Sequence, residues 1–122
     1  MLDTHVLLWW LAGHSTIDST ARSAIAEPTS RVVASAASAW EIAVKRALGT
    51  LEAPGDLPAA LSASRIESLP ITVEHARAAG ALPRHHDDPF DRMLIAQARV
   101  EGLTLVTRDR ALSRYDVAVL PA

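Results

Sequence analysis

The chain has 122 residues, of which 49% are hydrophobic and 21% charged, a size and composition typical of one globular domain rather than a disordered or fibrous chain. It has no cysteine and no apolar run near the roughly 20 residues of a membrane span, so disulfides, zinc–thiolate centres and membrane insertion are excluded, and we expect one cytoplasmic domain over residues 1–122. The formal net charge of −2 gives no overall positive field, so any nucleic acid has to be held by local contacts.

The first third of the chain predicts a strand, two helices and a second strand. Residues 1–3 fit the end of a strand, and the apolar run 5–12 fits a helix. A second helix is predicted over 19–27, and the valines in 31–35 favour a short strand. Asp3 is therefore expected at a strand-to-helix junction.

A helix over residues 38–48 carries the clearest start signal in the chain. Ser38 and Glu41 have the S-x-x-E spacing of a capping box, and a glycine follows the last predicted helical residue. After a proline-containing loop, a short helix is predicted over 57–64 and a strand over 66–69.

The remaining sequence continues the alternation of helix and strand. Thr72 is predicted to cap a helix that ends near residue 82, and residues 83–89 form a polar loop. The C-terminal elements are a helix over 89–101 capped by Asp88, a strand over 103–107, a turn or short helix over 108–112 and a strand over 117–120. This order implies right-handed crossovers, and hence an α/β fold with a mostly parallel sheet covered by helices on both faces.

Four carboxylates are expected at one edge of this sheet. Asp3 follows the first strand and Asp109 comes just after the strand over 103–107, and the carboxyl ends of parallel strands share an edge. Glu41 and Asp91 lie in the first turns of their predicted helices, which reach the same edge. Because bare carboxylates at short range repel each other, the pattern predicts a hard divalent cation, Mg²⁺ or Mn²⁺.

Each of these residues also has a purely structural interpretation. Glu41 could serve only in the capping box, and Asp91 could serve only the helix dipole. Asp109 could be an ordinary turn residue. His85 and His86 fit a solvated loop better than a metal site, because no helical His-x-x-x-His spacing is present. Three tryptophans fit a core or interface better than a base-stacking platform: Trp9, Trp10 and Trp40.

Four segments of the chain form a familiar pattern. They are LDTHVLLW at 2–9, SAWEI at 38–42, HHDDPFDRMLIAQA at 85–98 and LVTRD at 105–109. In this order and spacing they resemble the PIN-domain toxins of the VapC type, over nearly the whole chain. The resemblance implies a three-layer α/β/α sandwich and metal-dependent endoribonuclease activity in a type II toxin–antitoxin system. It also implies a homodimer and a cognate VapB-type antitoxin, through which alone the operator DNA would be bound.

The resemblance carries the functional residues of the family onto positions of this chain. The four acids of the family fall on Asp3, Glu41, Asp91 and Asp109, and the supporting hydroxyls fall on Thr4 and Thr107. Asp3 and Asp91 are expected to bind Mg²⁺ or Mn²⁺ directly, while Glu41 and Asp109 complete the shell or orient water. Relatives usually have more apolar residues before the first acid, so we expect a short first strand.

Four arginines flank the acids and are expected to bind RNA phosphates: Arg84, Arg92, Arg108 and Arg110. The alternative for them is simple solvation at the surface. A receiver domain is excluded because the one lysine, Lys45, does not follow a late strand, and a haloacid-dehalogenase-like phosphatase is excluded because His5 occupies the place of its second acid. The serious alternative is a PIN-like scaffold with little activity, acting mainly by binding an antitoxin and regulating the operon.

Overall fold

The computed structural model describes every residue from Met1 to Ala122. The chain forms six α-helices: α1 (Thr4–Leu11), α2 (Ser19–Ala26), α3 (Ala36–Ala47), α4 (Leu57–Ala63), α5 (Val73–Ala81) and α6 (Pro89–Glu101). Four strands of three residues each complete the fold with one 3-10 helix: β1 (Val33–Ser35), β2 (Glu67–Leu69), β3 (Leu105–Thr107), β4 (Val119–Pro121) and the 3-10 helix Arg110–Arg114. None of the helices has the length and apolar character that a membrane span requires.

All the strand pairings are parallel. β1 pairs with β2, and β3 pairs with β4. Leu2 bridges to Ala34 on one side and to Val106 on the other, so the N-terminal segment is the central line of the sheet, in the order β2–β1–Leu2–β3–β4. The predicted parallel sheet is therefore confirmed, and its first strand is indeed short. The carboxyl ends of β1, the Leu2 segment and β3 all lie at the same edge.

Apolar side chains fill both faces of this sheet. Successive residues of a strand point to opposite faces, and accordingly Val33 and Leu105 belong to one buried cluster while Ala34 and Val106 belong to the other. Side chains of α5 and α6 join the first cluster, and side chains of α1, α2 and α4 join the second. The result is the expected arrangement of helices, sheet and helices in three layers.

The start of α3 corrects one sequence expectation. The helix begins at Ala36, and its N-cap is Ser35, whose Oγ accepts the backbone N–H of Ala37 at 2.9 Å. The predicted capping box at Ser38 does not start this helix. Because Ser35 is also the last residue of β1, the strand passes directly into the helix, and Glu41 lies in the second turn instead of the first.

A buried polar network fixes this junction. The hydroxyl of Ser35 donates a short hydrogen bond to Oε1 of Gln97 on α6, and the Gln97 amide donates to the carbonyl of Pro70 at 3.3 Å. Next to it, buried His75 of α5 pairs with Glu101 at 2.8 Å. The Ser35 contact holds the start of α3 against α6, the His75 contact joins α5 to α6, and α3 also contacts α1. The position of α3 at the carboxyl edge therefore depends on both layers.

Candidate metal centre

Asp3 lies at the centre of the carboxyl edge. It is the N-cap of α1, where its Oδ1 accepts the backbone N–H of Val6 at 2.8 Å. Its Oδ2 accepts a hydrogen bond from the Thr107 hydroxyl at 2.5 Å. Only 7% of the residue is exposed, and this burial raises the pKa of Asp3 although both hydrogen bonds act in the opposite direction. The strand-to-helix junction thus holds the carboxylate of Asp3 in one fixed orientation.

Glu41 is the most buried of the four acids. It is 3% exposed, and its Oε2 accepts a hydrogen bond from Lys45 Nζ at 2.5 Å. Its other oxygen, Oε1, is buried without any hydrogen-bond partner. Buried polar atoms in folded proteins nearly always have a partner, because an unpaired one costs free energy. This oxygen is therefore free to interact with a group from outside the chain, such as a cation.

Asp91 lies in the first turn of α6, which begins at the predicted cap. Oδ1 of Asp88 accepts the backbone N–H groups of Phe90 and Asp91 at 2.8 and 3.1 Å. Burial raises the pKa of Asp91 to about 7, and the carboxylates of Asp88, Glu41 and Asp3 add to the effect. Asp3, Glu41 and Asp91 therefore act on one another electrostatically, as the sequence predicted from their positions.

Asp109 joins the group through His86, which the sequence predicts to be a solvated loop residue. Asp109 follows β3 and is exposed, and its Oδ2 lies 3.6 Å from His86 Nε2. The same Nε2 lies 3.1 Å from Oδ2 of Asp91, and the three ligand atoms lie within 4.8 Å of one another. His86 thus links the two acids. His85 instead packs edge-on against Tyr115, with ring centroids 5.1 Å apart.

The hydrogen bonds of His86 determine its role. Its Nδ1 accepts the backbone N–H of Asp88 at 3.0 Å, so the neutral imidazole carries its proton on Nε2. In this tautomer Nε2 lies 3.1 Å from Oδ2 of Asp91 and 3.6 Å from Oδ2 of Asp109. His86 therefore lies between Asp91 and Asp109, and these three side chains form a group that could hold a metal ion. The polar loop gave no pattern from which this contact could be predicted.

The two predicted threonines form buried hydrogen bonds next to the acids. The Thr107 hydroxyl donates to Asp3 and accepts the backbone N–H of Asp109 at 3.0 Å, so it links two of the four acids. The hydroxyl of Thr4 donates to Ser38 Oγ at 2.9 Å, and this contact connects the first turns of α1 and α3. All three hydroxyl residues are buried. They restrict the relative positions of the acids without offering their own charge.

Two of the four arginines predicted to bind phosphate also make contacts within the chain. The Arg92 guanidinium donates to the carbonyls of Ala79, Leu82, Pro83 and His86 at 2.9 to 3.3 Å. This closes the end of α5 and the loop before α6.

Arg108 is engaged in the same way. Its guanidinium donates to the Ala122 carbonyl at 2.9 Å and to the hydroxyl of Thr16 at 2.7 Å, and it stacks on the Trp9 ring. RNA binding by Arg92 and Arg108 stays a prediction. Arg84 and Arg110 are exposed and make no side-chain hydrogen bond or ion pair, so the expectation for them stands as a prediction.

The donor set fits a hard divalent cation. Asp3, Glu41 and Asp91 offer carboxylate oxygens, the ligands that Mg²⁺ and Mn²⁺ prefer. A bound cation would supply the missing partner of Glu41 Oε1 and would favour the charged form of Asp91. The unpaired oxygen of Glu41 and the unfavourable charge of Asp91 would therefore both be stabilised by one bound cation.

Comparison with known proteins agrees with this geometry. The PIN domain family model matches residues 1–118. The chain belongs to the PIN domain family. Ribonuclease VapC22 from Mycobacterium tuberculosis is 32% identical over 123 residues, which cover 94% of this chain and 90% of that protein. The VapC-type resemblance of the sequence is thereby confirmed.

Solved structures of low sequence identity share the fold of this PIN domain. A chain in the crystal structure of VapBC2 from Rickettsia felis, bound to a DNA fragment from their promoter, superposes with a TM-score of 0.74 at 16% identity and covers 100% of this chain and 97% of that one. A chain in DNA-bound VapBC from Salmonella typhimurium gives 0.67 at 20% identity, with 99% and 96% covered. The α/β/α architecture is therefore common to these proteins.

Proposed function

We propose that this PIN domain is the toxin of a type II toxin–antitoxin system and acts as a metal-dependent endoribonuclease. The observation that carries the proposal is the unpaired, buried Oε1 of Glu41, a carboxylate whose charge acts on two other acids, Asp3 and Asp91. The relative called a ribonuclease, at 32% identity, supports the choice of substrate. The reaction would be the hydrolysis of an RNA phosphodiester bond.

Each acid has a distinct part in this proposal. Asp3, Glu41 and Asp91 hold Mg²⁺ or Mn²⁺, which would supply activation of the attacking water and neutralisation of charge on the phosphate. Asp109, the exposed member, orients water or completes the shell. Thr107 keeps Asp3 in place, and His86 does the same for Asp91 and Asp109. The chain thus arranges the ligands before the substrate arrives, which is the usual source of electrostatic catalysis.

The partners follow from the relatives. The structural neighbours come from VapBC complexes bound to DNA, which supports a VapB-type antitoxin as the partner of this chain and contact with operator DNA through that antitoxin. A homodimer, paired with antitoxin into a heterotetramer or a larger assembly, is the expected form. An exposed apolar stripe on α3 supports protein binding: Trp40, Val44 and Leu48.

The decisive experiment is cleavage of a mixed RNA pool by the purified chain with Mg²⁺, with Mn²⁺ and with EDTA. Asp91→Asn removes one charge of the centre without changing the size of the side chain. Asp116→Asn is the matched control, because Asp116 is exposed and lies outside the centre. We expect cleavage by the wild type and the control only with a metal ion, and none by Asp91→Asn.

Two other results would contradict the proposed activity, and one of them would favour a PIN-like scaffold that acts mainly by binding an antitoxin. Equal cleavage by all three proteins would identify a contaminating nuclease. No cleavage by the wild type under any metal condition, together with antitoxin binding by both the wild type and Asp91→Asn, would leave partner binding as the main function.

A further inference from the structure

The one lysine of the chain lies at the mouth of the metal centre. Lys45 is one helical turn after Glu41 on α3, and its ammonium donates to Glu41 Oε2 at 2.5 Å. The side chain of Lys45 is 36% exposed, whereas that of Glu41 is 4% exposed. The buried carboxylate of Glu41 is thus hydrogen-bonded to a cation that is partly exposed. A polyanionic substrate could therefore contact this cation.

The charged groups that act on Lys45 are carboxylates. The hydrogen bond to Glu41 raises the pKa of Lys45, and the carboxylates of Asp88 and Asp91 act in the same direction. An RNA phosphate that approaches this edge meets several carboxylates, so it needs a cation near the reacting bond. Arg92 and Arg108 donate to backbone carbonyls, whereas Lys45 contacts a carboxylate of the centre directly.

A surface ion pair that only stabilises the helix would look different. Glu and Lys four residues apart on an exposed helix face stabilise it by about 0.2–0.5 kcal/mol, with both side chains in water. Here the carboxylate is buried and its second oxygen stays unpaired, so Lys45 does not satisfy Glu41. Its ammonium has three donors, of which the Glu41 contact uses one. Because the side chain is 36% exposed, the remaining two donors are available to another acceptor.

We propose that Lys45 binds a phosphate oxygen of the RNA at the metal centre while it keeps its hydrogen bond to Glu41. This inference rests on the proposed ribonuclease function and names a substrate-binding residue of the same site. The contact would place the scissile region of the strand over Asp3, Glu41 and Asp91. It also explains how a chain of net charge −2 can bind RNA at an acidic edge.

The test is the salt dependence of RNA binding. A short fluorescein-labelled single-stranded RNA of random sequence is titrated with Asp91→Asn protein, which should not cut it, at fixed Mg²⁺ and increasing KCl. Each phosphate contact with a single strand contributes about 0.7 to the slope of log affinity against log salt. Adding Lys45→Gln should therefore reduce the slope by about 0.7. Adding Lys45→Arg should restore it.

Arg77→Gln is the charge-matched control. Arg77 is exposed on α5, the helix whose His75 lies at the far end of α6 from Asp91, so its replacement should leave the slope unchanged. Calorimetric Mg²⁺ binding to Lys45→Gln in the wild-type background provides the second readout. A residue that only positions Glu41 would change Mg²⁺ affinity and leave the RNA slope alone.

The outcomes separate this inference from the proposed function. An unchanged slope in the Lys45→Gln protein, with cleavage by the wild type intact, would overturn the role of Lys45 and leave the ribonuclease standing. A wild type that neither binds nor cuts RNA would remove both. The contact would be established if Lys45→Gln reduces the slope, Lys45→Arg restores it and Arg77→Gln leaves it unchanged.

Discussion

Replacing Asp91 by asparagine should make the metal-free protein more stable at pH 8, although it removes the proposed activity. The pKa of Asp91 in the folded chain is about 7, against an ordinary value of 3.8. As the pH rises, the unfolded chain therefore loses this proton first. The folded state loses stability progressively between about pH 4 and pH 7 and stays destabilised above that range.

The size of the effect follows from the same two values. At about 1.4 kcal/mol per pH unit, the interval from 3.8 to about 7 corresponds to roughly 4 kcal/mol. The Asp91 side chain is 24% exposed, and water reduces the effect, so we expect about 2–4 kcal/mol. Asparagine keeps the shape and an oxygen that can accept from His86 while it omits the charge. In a domain of this size the gain corresponds to roughly 10 °C in Tm.

Urea denaturation of the metal-free proteins at pH 4 and pH 8 measures this difference. We expect nearly equal free energies of unfolding for wild type and Asp91→Asn at pH 4, and a more stable variant at pH 8. Added Mg²⁺ should stabilise the wild type at pH 8 and have little effect on the variant, because only a bound ligand shifts the folding equilibrium. A gap that does not change with pH, or one that Asp116→Asn reproduces, would refute the electrostatic origin.

Three further substitutions test the other parts of the centre. Glu41→Gln should weaken Mg²⁺ binding at least about tenfold in calorimetry, the loss typical of even an indirect partner of a metal ligand; unchanged affinity would mean that the bare oxygen has another role. Thr107→Val should lower the free energy of unfolding by about 1–3 kcal/mol, because Asp3 loses a donor and the Asp109 N–H loses its acceptor. Arg92→Ala should lower the free energy of unfolding by about 3 kcal/mol in urea denaturation and leave the salt dependence of RNA binding unchanged. A smaller slope of log affinity against log salt would instead support the predicted contact of Arg92 with phosphates.

Local signals in the sequence predicted the elements best where several of them agree. Helix α6 begins after Asp88, has proline at its first position and ends at Gly102 in a left-handed conformation, and all three features are visible in the sequence. For α3 two serines compete, since Ser35 and Ser38 can each precede a helix. The choice depends on where β1 ends, and a strand of three residues is too short to show a pattern of its own.

The acids of the centre were predictable for a related reason. Asp3 and Asp109 follow strands, and the edge where parallel strands end is a property of the topology as a whole. The partners of these acids were not predictable, because they depend on long-range contacts. His86 reaches Asp91 and Asp109 from an irregular loop, and Arg92 closes that loop through backbone carbonyls that no sequence pattern marks.

The geometry also explains why so much of the surrounding structure serves to hold the acids. Each carboxylate arrives from a different element, and the raised pKa values of Asp3 and Asp91 mean that the folded chain disfavours their charge. Without other contacts the carboxylates would move away from one another. The helix caps, the Thr107 hydroxyl and the buried Ser35–Gln97 contact oppose this movement. A cation that binds to the arrangement relieves a repulsion already present in the fold, and binding therefore requires little rearrangement of the protein. The same reasoning implies that substitutions which loosen these supports should reduce metal affinity before they unfold the chain.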